Sequence, residues 1–175
     1  MTALPPTTRQ TVPPAVGARE FRDLMRNVTG AVSIIASGSI GERSGLTATA
    51  VCSVSDQPPT LLVCVNRAAT SREVIARTGS FSVNVLGANC HALATHFSGR
   101  TGASGEGKFD AGAWTTLATG APILTSALAA FDCEVVDIKD VATHSIVIGR
   151  VIAGKLGPAG APLLYARGAY WMPPV

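Results

Sequence analysis

The sequence GLTATAVCSVSDQPPTLLVCVN, residues 45–66, carries the strongest pattern in the chain. Hydroxyl side chains recur on its odd positions, at Thr47, Thr49, Ser53 and Ser55, with small apolar residues between them. This period of two predicts a strand with one hydroxyl-rich face and one apolar face. A flat ligand can lie close to such a face and still be hydrogen-bonded. The local pattern leaves one alternative open, a Thr/Ser-rich strand that faces water.

Two prolines divide the stretch. Pro58 and Pro59 cannot continue a strand ladder, so the sequence predicts separate strands at 46–54 and 60–66. Apolar alternation predicts further strands at 31–37, 81–86, 127–138, 144–153 and 163–170. Helical periodicity and end signals predict helices at 18–27, 71–77 and 88–97. Closely spaced strands with few helical crossovers indicate a mostly β fold, an antiparallel barrel of six or seven strands with short helices in the connections.

The chain is expected to form one domain preceded by an arm. Its 175 residues suffice for a single core, which we expect to be built from residues 18–175. Residues 1–17 are rich in proline and predict a disordered or loosely attached arm. Hydrophobic residues make up 47% of the chain and charged residues 14%, which indicates a buried subunit interface in addition to the core.

Charge and cysteine usage narrow the class of protein. The net charge is +3, and the basic residues are scattered, so the sequence predicts no nucleic-acid partner. The four cysteines have no C-x-x-C spacing, which favours a reducing, cytoplasmic location. No apolar run reaches the length of a membrane span, and the N-terminus does not have the pattern of a signal peptide.

Several familiar site motifs are absent or incomplete. Residues 102–108 read G-x-x-x-x-G-K, but a P-loop requires Ser or Thr next, and Phe109 follows. No G-x-G-x-x-G or G-x-S-x-G occurs. His91 and His96 are five residues apart, on different sides of a predicted helix, so they do not predict a metal site.

Two polar features remain as candidates for function. Asn66, Arg67, Thr70 and Ser71 lie between a strand end and a helix start, where backbone N–H groups, hydroxyls and a guanidinium can hold a phosphate. Ordinary helix capping explains the same residues, since Thr70 to Glu73 has the spacing of a capping box. His144, at a strand start, is the second candidate, although a lone histidine there is usually structural.

The quoted stretch resembles the signature of the short flavin reductases that supply two-component monooxygenases. Further stretches agree in order and spacing: Phe81-Ser-Val-Asn-Val-Leu86, His96-Phe-Ser-Gly-Arg-Thr-Gly102 ahead of Lys108-Phe109, Thr143-His144, and Phe21-Arg-Asp-Leu-Met25 with Gly30-Ala-Val. The similarity extends over about residues 18–170. One departure is Ala142, which occupies a position where many members have glycine.

The resemblance implies a homodimeric split β-barrel that binds FMN or FAD near the dimer interface. Such a protein takes hydride from NADH or NADPH and passes reduced flavin to a separate monooxygenase. By position, the isoalloxazine ring would lie on Thr47, Ala48, Thr49 and Ala50, and Ser53 and Ser55 would continue toward the ribityl chain and phosphate. Asn66, Arg67, Thr70 and Ser71 would lie by the phosphate, and His144 would lie near the nicotinamide and the flavin as the candidate catalytic residue.

Two other functions are compatible with these residues. One is a flavin enzyme on a similar barrel that keeps its FMN, such as an oxidase or a metal-complex reductase. The other is a non-enzymatic module that binds flavin or a partner protein. Hydride transfer from a nicotinamide to a flavin, the reaction of the first hypothesis, needs no nucleophile or metal in the protein, and the sequence motifs predict neither.

Overall fold

The computed structural model describes residues 15–173, so most of the expected arm 1–17 lies outside the described residues. The helices are α1 (Ala18–Met25), α2 (Thr70–Thr78) and α3 (His91–Phe97), with short 3-10 helices at Ala88–Cys90 and Gly105–Asp110. The strands are β1 (Gly30–Ala31), β2 (Ser33–Ser37), β3 (Ser44–Ala48), β4 (Val51–Asp56), β5 (Pro59–Asn66), β6 (Ser80–Val85), β7 (Trp114–Thr116), β8 (Pro122–Leu124), β9 (Ala129–Val141), β10 (His144–Leu156), β11 (Leu164–Ala166) and β12 (Ala169–Trp171). The prediction of a mostly β fold is confirmed.

Seven strands form the main sheet, in the order β3-β2-β6-β9-β10-β5-β4. All neighbours in it are antiparallel. Its two edge strands, β3 and β4, are consecutive in the chain and are joined only by Thr49 and Ala50. Since three Cα steps cover at most about 11 Å, the two edges of the sheet approach each other at this connection.

The prediction of one continuous strand over 46–54 is therefore wrong. β3 pairs with β2, whereas β4 pairs with β5 on the opposite edge. The chain changes neighbours at Thr49 and Ala50, where the Ala50 carbonyl already accepts a bond of 3.1 Å from the amide of Cys64. The hydroxyls keep their odd spacing through the break, so the sequence pattern did not reveal it.

The predicted last strand, 163–170, is also wrong. It is a hairpin of β11 and β12, which pairs with β1 in a separate sheet of three strands. Arg167 and Gly168 form its turn with φ of 51° and 83°, the left-handed backbone that a tight hairpin requires. This hairpin, together with the division of 31–37 and the added strands β7 and β8, raises the number of strands above the six or seven predicted.

The helix predicted at 71–77 is present as α2, but its start differs from the prediction. Gly79 ends the helix with a left-handed φ of 66°, as expected for a C-terminal glycine. The N-cap is Ala69, and no side chain caps the helix. The capping box predicted from Thr70 and Glu73 is therefore absent, and Asn66 instead accepts a bond of 2.9 Å from the amide of Ala68.

Two apolar clusters pack on the two faces of β2. Ile34 faces the cluster that contains Phe97 and Leu163, and Ile35 faces the cluster that contains Phe81. Both faces are covered because the α3 side and the β5–β10 side of the molecule each contribute apolar side chains. Since its residues are all buried, β2 gives the neighbouring β3 a rigid support.

The four cysteines are free, and Cys90 and Cys133 are buried. Burial, together with the charge of neighbouring Asp132, raises the pKa of Cys133 to about 12, so this side chain remains a thiol. Among residues 15–173, no helix is both long and apolar enough to cross a membrane. The same residues bring together no three His, Cys, Asp or Glu side chains that could hold a metal ion.

Candidate functional site

The polar end of β3 lines a small cavity of about 180 Å³. Thr47, Ala48 and Thr49 form one side of it. The other residues around it are Val32, Ser98, Arg100, Tyr165 and Tyr170. The structure thus brings together three of the four residues predicted to contact a ring, and we call residues 45–49 the β3 wall.

The β3 wall is held against α3 by polar contacts. Thr47 donates its hydroxyl hydrogen to the carbonyl of Ala94, at 2.6 Å. The ammonium group of Lys108 donates to the carbonyls of Gly45 and Phe97, at 3.1 Å each. Burial lowers the pKa of Lys108 below its ordinary value. Because the hydrogen of Thr47 is already used, its oxygen can only accept a further bond from a ligand.

Glycine at position 45 permits this close approach. An added Cβ there would lie 2.9 Å from the carbonyl oxygen of Ile35 and 2.9 Å from a ring carbon of Phe97. Both distances are shorter than ordinary packing contacts, so any side chain would push β3 away from β2 or from α3. The first residue of the quoted stretch is therefore needed to place the β3 wall.

Two tyrosines close the opposite side of the cavity, and the sequence analysis missed them. Tyr165 and Tyr170 lie on β11 and β12 with ring centroids 5.4 Å apart, in an edge-on arrangement. The pKa of Tyr170 is raised by burial, an effect that the charge of Arg100 opposes. The sequence does contain a signal for this pair, because both tyrosines of the chain flank the Arg-Gly turn of this hairpin. Arg100 gives the cavity a positive charge.

A second group of predicted residues meets at the end of β5. Asn66 lies opposite His144 in the β5–β10 ladder. Arg67 follows, and its amide donates to the carbonyl of Thr143 at 3.0 Å. Ala50 lies beside Cys64, two residues before Asn66, so this group adjoins the connection between β3 and β4. We call residues 66–72 together with 140–145 the His144 corner.

Charged side chains organise the His144 corner. The Asp140 carboxylate lies 3.4 Å from Nε of Arg67 and 3.2 Å from a terminal nitrogen of Arg72. It also accepts a bond of 2.6 Å from the hydroxyl of Ser145. That bond and the two guanidinium groups hold the pKa of Asp140 below its ordinary value, so the carboxylate is ionised at neutral pH. Asp140, Ser145 and Arg72 were not predicted, because they become neighbours only through the fold.

His144 lies on the surface at the start of β10. Its Nδ1 is 2.9 Å from the hydroxyl of Thr143. The imidazole Nε2 is therefore the nitrogen left for a ligand. Thr70 is exposed at the start of α2, whereas Ser71 is only 3% exposed.

Ser53 and Ser55 are not brought to the His144 corner. They pair with Leu61 and Thr60, near the opposite end of β5 from Asn66. At about 3.3 Å per residue, Thr60 lies about 20 Å from Asn66 along the strand. Ser55 also accepts a bond of 3.1 Å from the amide of Gln57. Within this chain, the two predicted groups therefore do not meet at one phosphate.

The cavity fits part of a flavin. A hydroxyl acceptor, backbone groups, aromatic rings and one guanidinium are suitable neighbours for a flat ring with polar edges. Sites for small molecules usually measure about 300–1,000 Å³, so the 180 Å³ cavity holds only part of such a ligand. The remainder would extend toward the His144 corner or beyond this chain.

Comparison with known proteins defines the class. The family model for a flavin reductase like domain matches residues 25–171. The chain is similar to the FMN reductase (NADH) RutF of Ancylobacter novellus, with 41% identity over 157 residues that cover 90% of this chain and 86% of the relative. It therefore belongs to the flavin reductase-like family, and the resemblance noted in the sequence is confirmed.

Solved structures agree with this assignment. BorF, the flavin reductase component of a bacterial two-component tryptophan halogenase, has a TM-score of 0.83 and 30% identity, covering 91% of this chain and 99% of BorF. The NADH:FAD oxidoreductase SgcE6 of Streptomyces globisporus, in complex with NAD and FAD fragments, has a TM-score of 0.79 and 27% identity, covering 87% of this chain and 90% of SgcE6.

Proposed function

We propose that this protein is an NAD(P)H:flavin oxidoreductase that transfers hydride from NADH or NADPH to FMN or FAD. The observation that carries the proposal is the β3 wall with its cavity, in a chain whose residues 25–171 belong to the flavin reductase-like family. Relatives named FMN reductase (NADH) support FMN and NADH as the pair to test first. Reduced flavin would be passed to a partner monooxygenase; a similar solved structure, with 29% identity and a TM-score of 0.80, is a homologue of nitrilotriacetate monooxygenase component B.

The flavin would supply the hydride acceptor, and the protein would supply binding, orientation and electrostatics. We propose that Thr47, Ala48, Thr49 and Ala50 hold the ring, with the tyrosine pair excluding water from its other side. Backbone N–H groups of this segment would stabilise the negative charge that develops on the ring as hydride arrives. Asn66, Thr70 and Ser71 would contact the phosphate, where the first amides of α2 have no intrahelical acceptor.

We propose that His144 positions the nicotinamide. It is exposed, adjoins Asn66, and has Nε2 free for a ligand while Nδ1 meets Thr143. His144→Ala should lower the turnover of NADH more than it lowers flavin affinity. Steady-state kinetics with a flavin titration would check this, and a larger loss of flavin affinity than of turnover would move His144 to the flavin site.

We infer that two copies form a homodimer in which the curled sheet is a split β-barrel. The small cavity supports this, because a second protomer would have to enclose the rest of the flavin. Apolar side chains left exposed on the main sheet also support it: Val54, Val136, Val141, Ile152 and Leu156. Ser53 and Ser55, on the edge strand β4, would then serve a flavin shared with the partner. Free cysteines are consistent with a cytoplasmic protein.

A direct assay tests the proposed activity. Purified protein is mixed with NADH or NADPH and excess FMN or FAD, and the loss of nicotinamide absorbance is followed. Rapid oxidation that requires added flavin is the expected result. Yellow protein that oxidises NADH only with another acceptor would indicate an FMN-retaining oxidase or metal-complex reductase. Flavin binding without oxidation of either nicotinamide would indicate a non-enzymatic module.

A further inference from the structure

We propose that Arg67 is a positioning residue, which holds the turn that carries His144, and that its guanidinium is not a phosphate ligand. The inference rests on the proposed function only for the role of His144. The turn consists of Ala142 and Thr143, between the paired residues Val141 and His144. The conformation of this turn fixes the position of His144, the first residue of β10.

The turn contains a backbone conformation that needs support. Ala142 has a φ of 50°, in the left-handed region that residues with a Cβ rarely adopt. It is also exposed, so no packing holds it in place. The support must come from its backbone contacts.

Arg67 supplies those contacts. Its amide donates to the Thr143 carbonyl at 3.0 Å, and a terminal guanidinium nitrogen donates to the Ala142 carbonyl at 3.2 Å. The carbonyls of both central turn residues therefore accept bonds from one residue, one from its backbone amide and one from its side chain. No lysine could copy this, because a single ammonium group lacks the planar fork that reaches Ala142 and Asp140 together.

Asp140 fixes the direction of the Arg67 guanidinium. The carboxylate is 3.4 Å from Nε of Arg67, and Arg72 and Ser145 bind it from the other side. An anionic ligand at Arg67 would lie beside this carboxylate and be repelled by it. The geometry thus favours a bond from Arg67 to the turn over a bond to a phosphate.

The test combines Arg67→Met with Ala142→Gly. Glycine adopts the left-handed backbone without a steric penalty, so it should hold the turn when the guanidinium is absent. Arg67→Met keeps the backbone amide at position 67, whose hydrogen exchange is measured in flavin-free protein, together with the amide of His144. We expect exchange about fivefold faster at both amides in Arg67→Met and nearly normal exchange in the double variant. Arg77→Met is the control, because Arg77 is an exposed arginine on α2 that pairs with Glu42 and makes no bond to the turn; it should change neither amide.

Two ligand measurements complete the test. The ratio of FMN to riboflavin affinity should stay within about twofold of the wild-type ratio in Arg67→Met, while NADH turnover falls about fivefold and recovers in the double variant. Unchanged exchange would overturn the inference, and so would a tenfold loss of FMN preference without rescue by Ala142→Gly. Wild-type protein that does not oxidise NADH would refute the proposed function, and the exchange data would still decide the role of Arg67.

Discussion

The β3 wall and the His144 corner are built by different means, although the bond between Ala50 and Cys64 brings them close together. In the β3 wall, glycine packing and bonds to backbone carbonyls hold a strand against buried neighbours. In the His144 corner, exposed ion pairs around Asp140 hold a two-residue turn. Buried contacts resist salt and contribute to stability, whereas exposed ion pairs are screened and contribute little. The β3 wall should therefore govern folding and ring binding, and the His144 corner should govern orientation.

The largest expected effect is that of Gly45→Ala. The new Cβ would lie 2.9 Å from both Ile35 and Phe97, so β3 must shift. Overpacking of this kind costs about 2 kcal/mol in free energy of unfolding. Urea denaturation would measure this loss. A variant as stable as wild type would mean that the β3 wall is not tightly packed.

Lys108→Met should have the second-largest effect on the free energy of unfolding. It removes both bonds from the ammonium group and leaves the carbonyls of Gly45 and Phe97 without that donor. We expect a loss of about 1–2 kcal/mol, which already allows for the desolvation cost of the ammonium group that the variant avoids. Denaturation at low and high salt is the measurement. A loss that disappears at high salt would place Lys108 among screened surface charges.

A matched pair of substitutions distinguishes a residue that holds the β3 wall in place from a residue that binds the flavin ring. Thr47→Val removes a bond to Ala94 and should lower stability by about 1 kcal/mol. Thr49→Val should leave stability unchanged and weaken flavin binding by about 1 kcal/mol if its hydroxyl bonds the ring. Thermal unfolding and flavin titration on both variants distinguish the two roles. Unchanged flavin affinity in Thr49→Val would rule that contact out.

Asp140→Asn should cause the smallest loss of stability among the substitutions that lower it. The pKa of Asp140 is lowered in the folded protein, so its contribution is present above the ordinary value of 3.8 and is lost as the pH falls. The wild-type and variant melting temperatures should therefore differ slightly at neutral pH and low salt, and converge in acid or at high salt. A difference that persists in high salt would contradict the surface character of the His144 corner.

Local patterns allowed much of the fold to be predicted. β5, β6 and the end of α2 at Gly79 follow from alternation and from a terminating glycine, which depend on neighbours in sequence. The break at Thr49 and Ala50 was not predictable from alternation, because hydroxyls keep their odd spacing on both sides of it. The hairpin at Arg167-Gly168 was missed because its strands are only three residues long.

The candidate site was also predicted only in part from the sequence. Thr47, Ala48 and Thr49 were predicted and do line a cavity, since they are consecutive at the end of β3. Tyr165 and Tyr170 reach that cavity from a separate sheet. Asp140 likewise reaches Arg67 from a distant part of the chain. Contacts of such range depend on strand order, which periodicity does not encode. The predicted roles of Ser53, Ser55, Asn66, Thr70 and Ser71 stay predictions.

The central claim is that the β3 wall and the His144 corner serve one hydride transfer. Anaerobic rapid mixing of NADH with protein and FMN tests it most directly, with both the nicotinamide and the flavin absorbance recorded. The account predicts that oxidised flavin and NADH disappear together, in equal amounts and only when the protein is present. Flavin that stays oxidised at the rate seen without protein would contradict it.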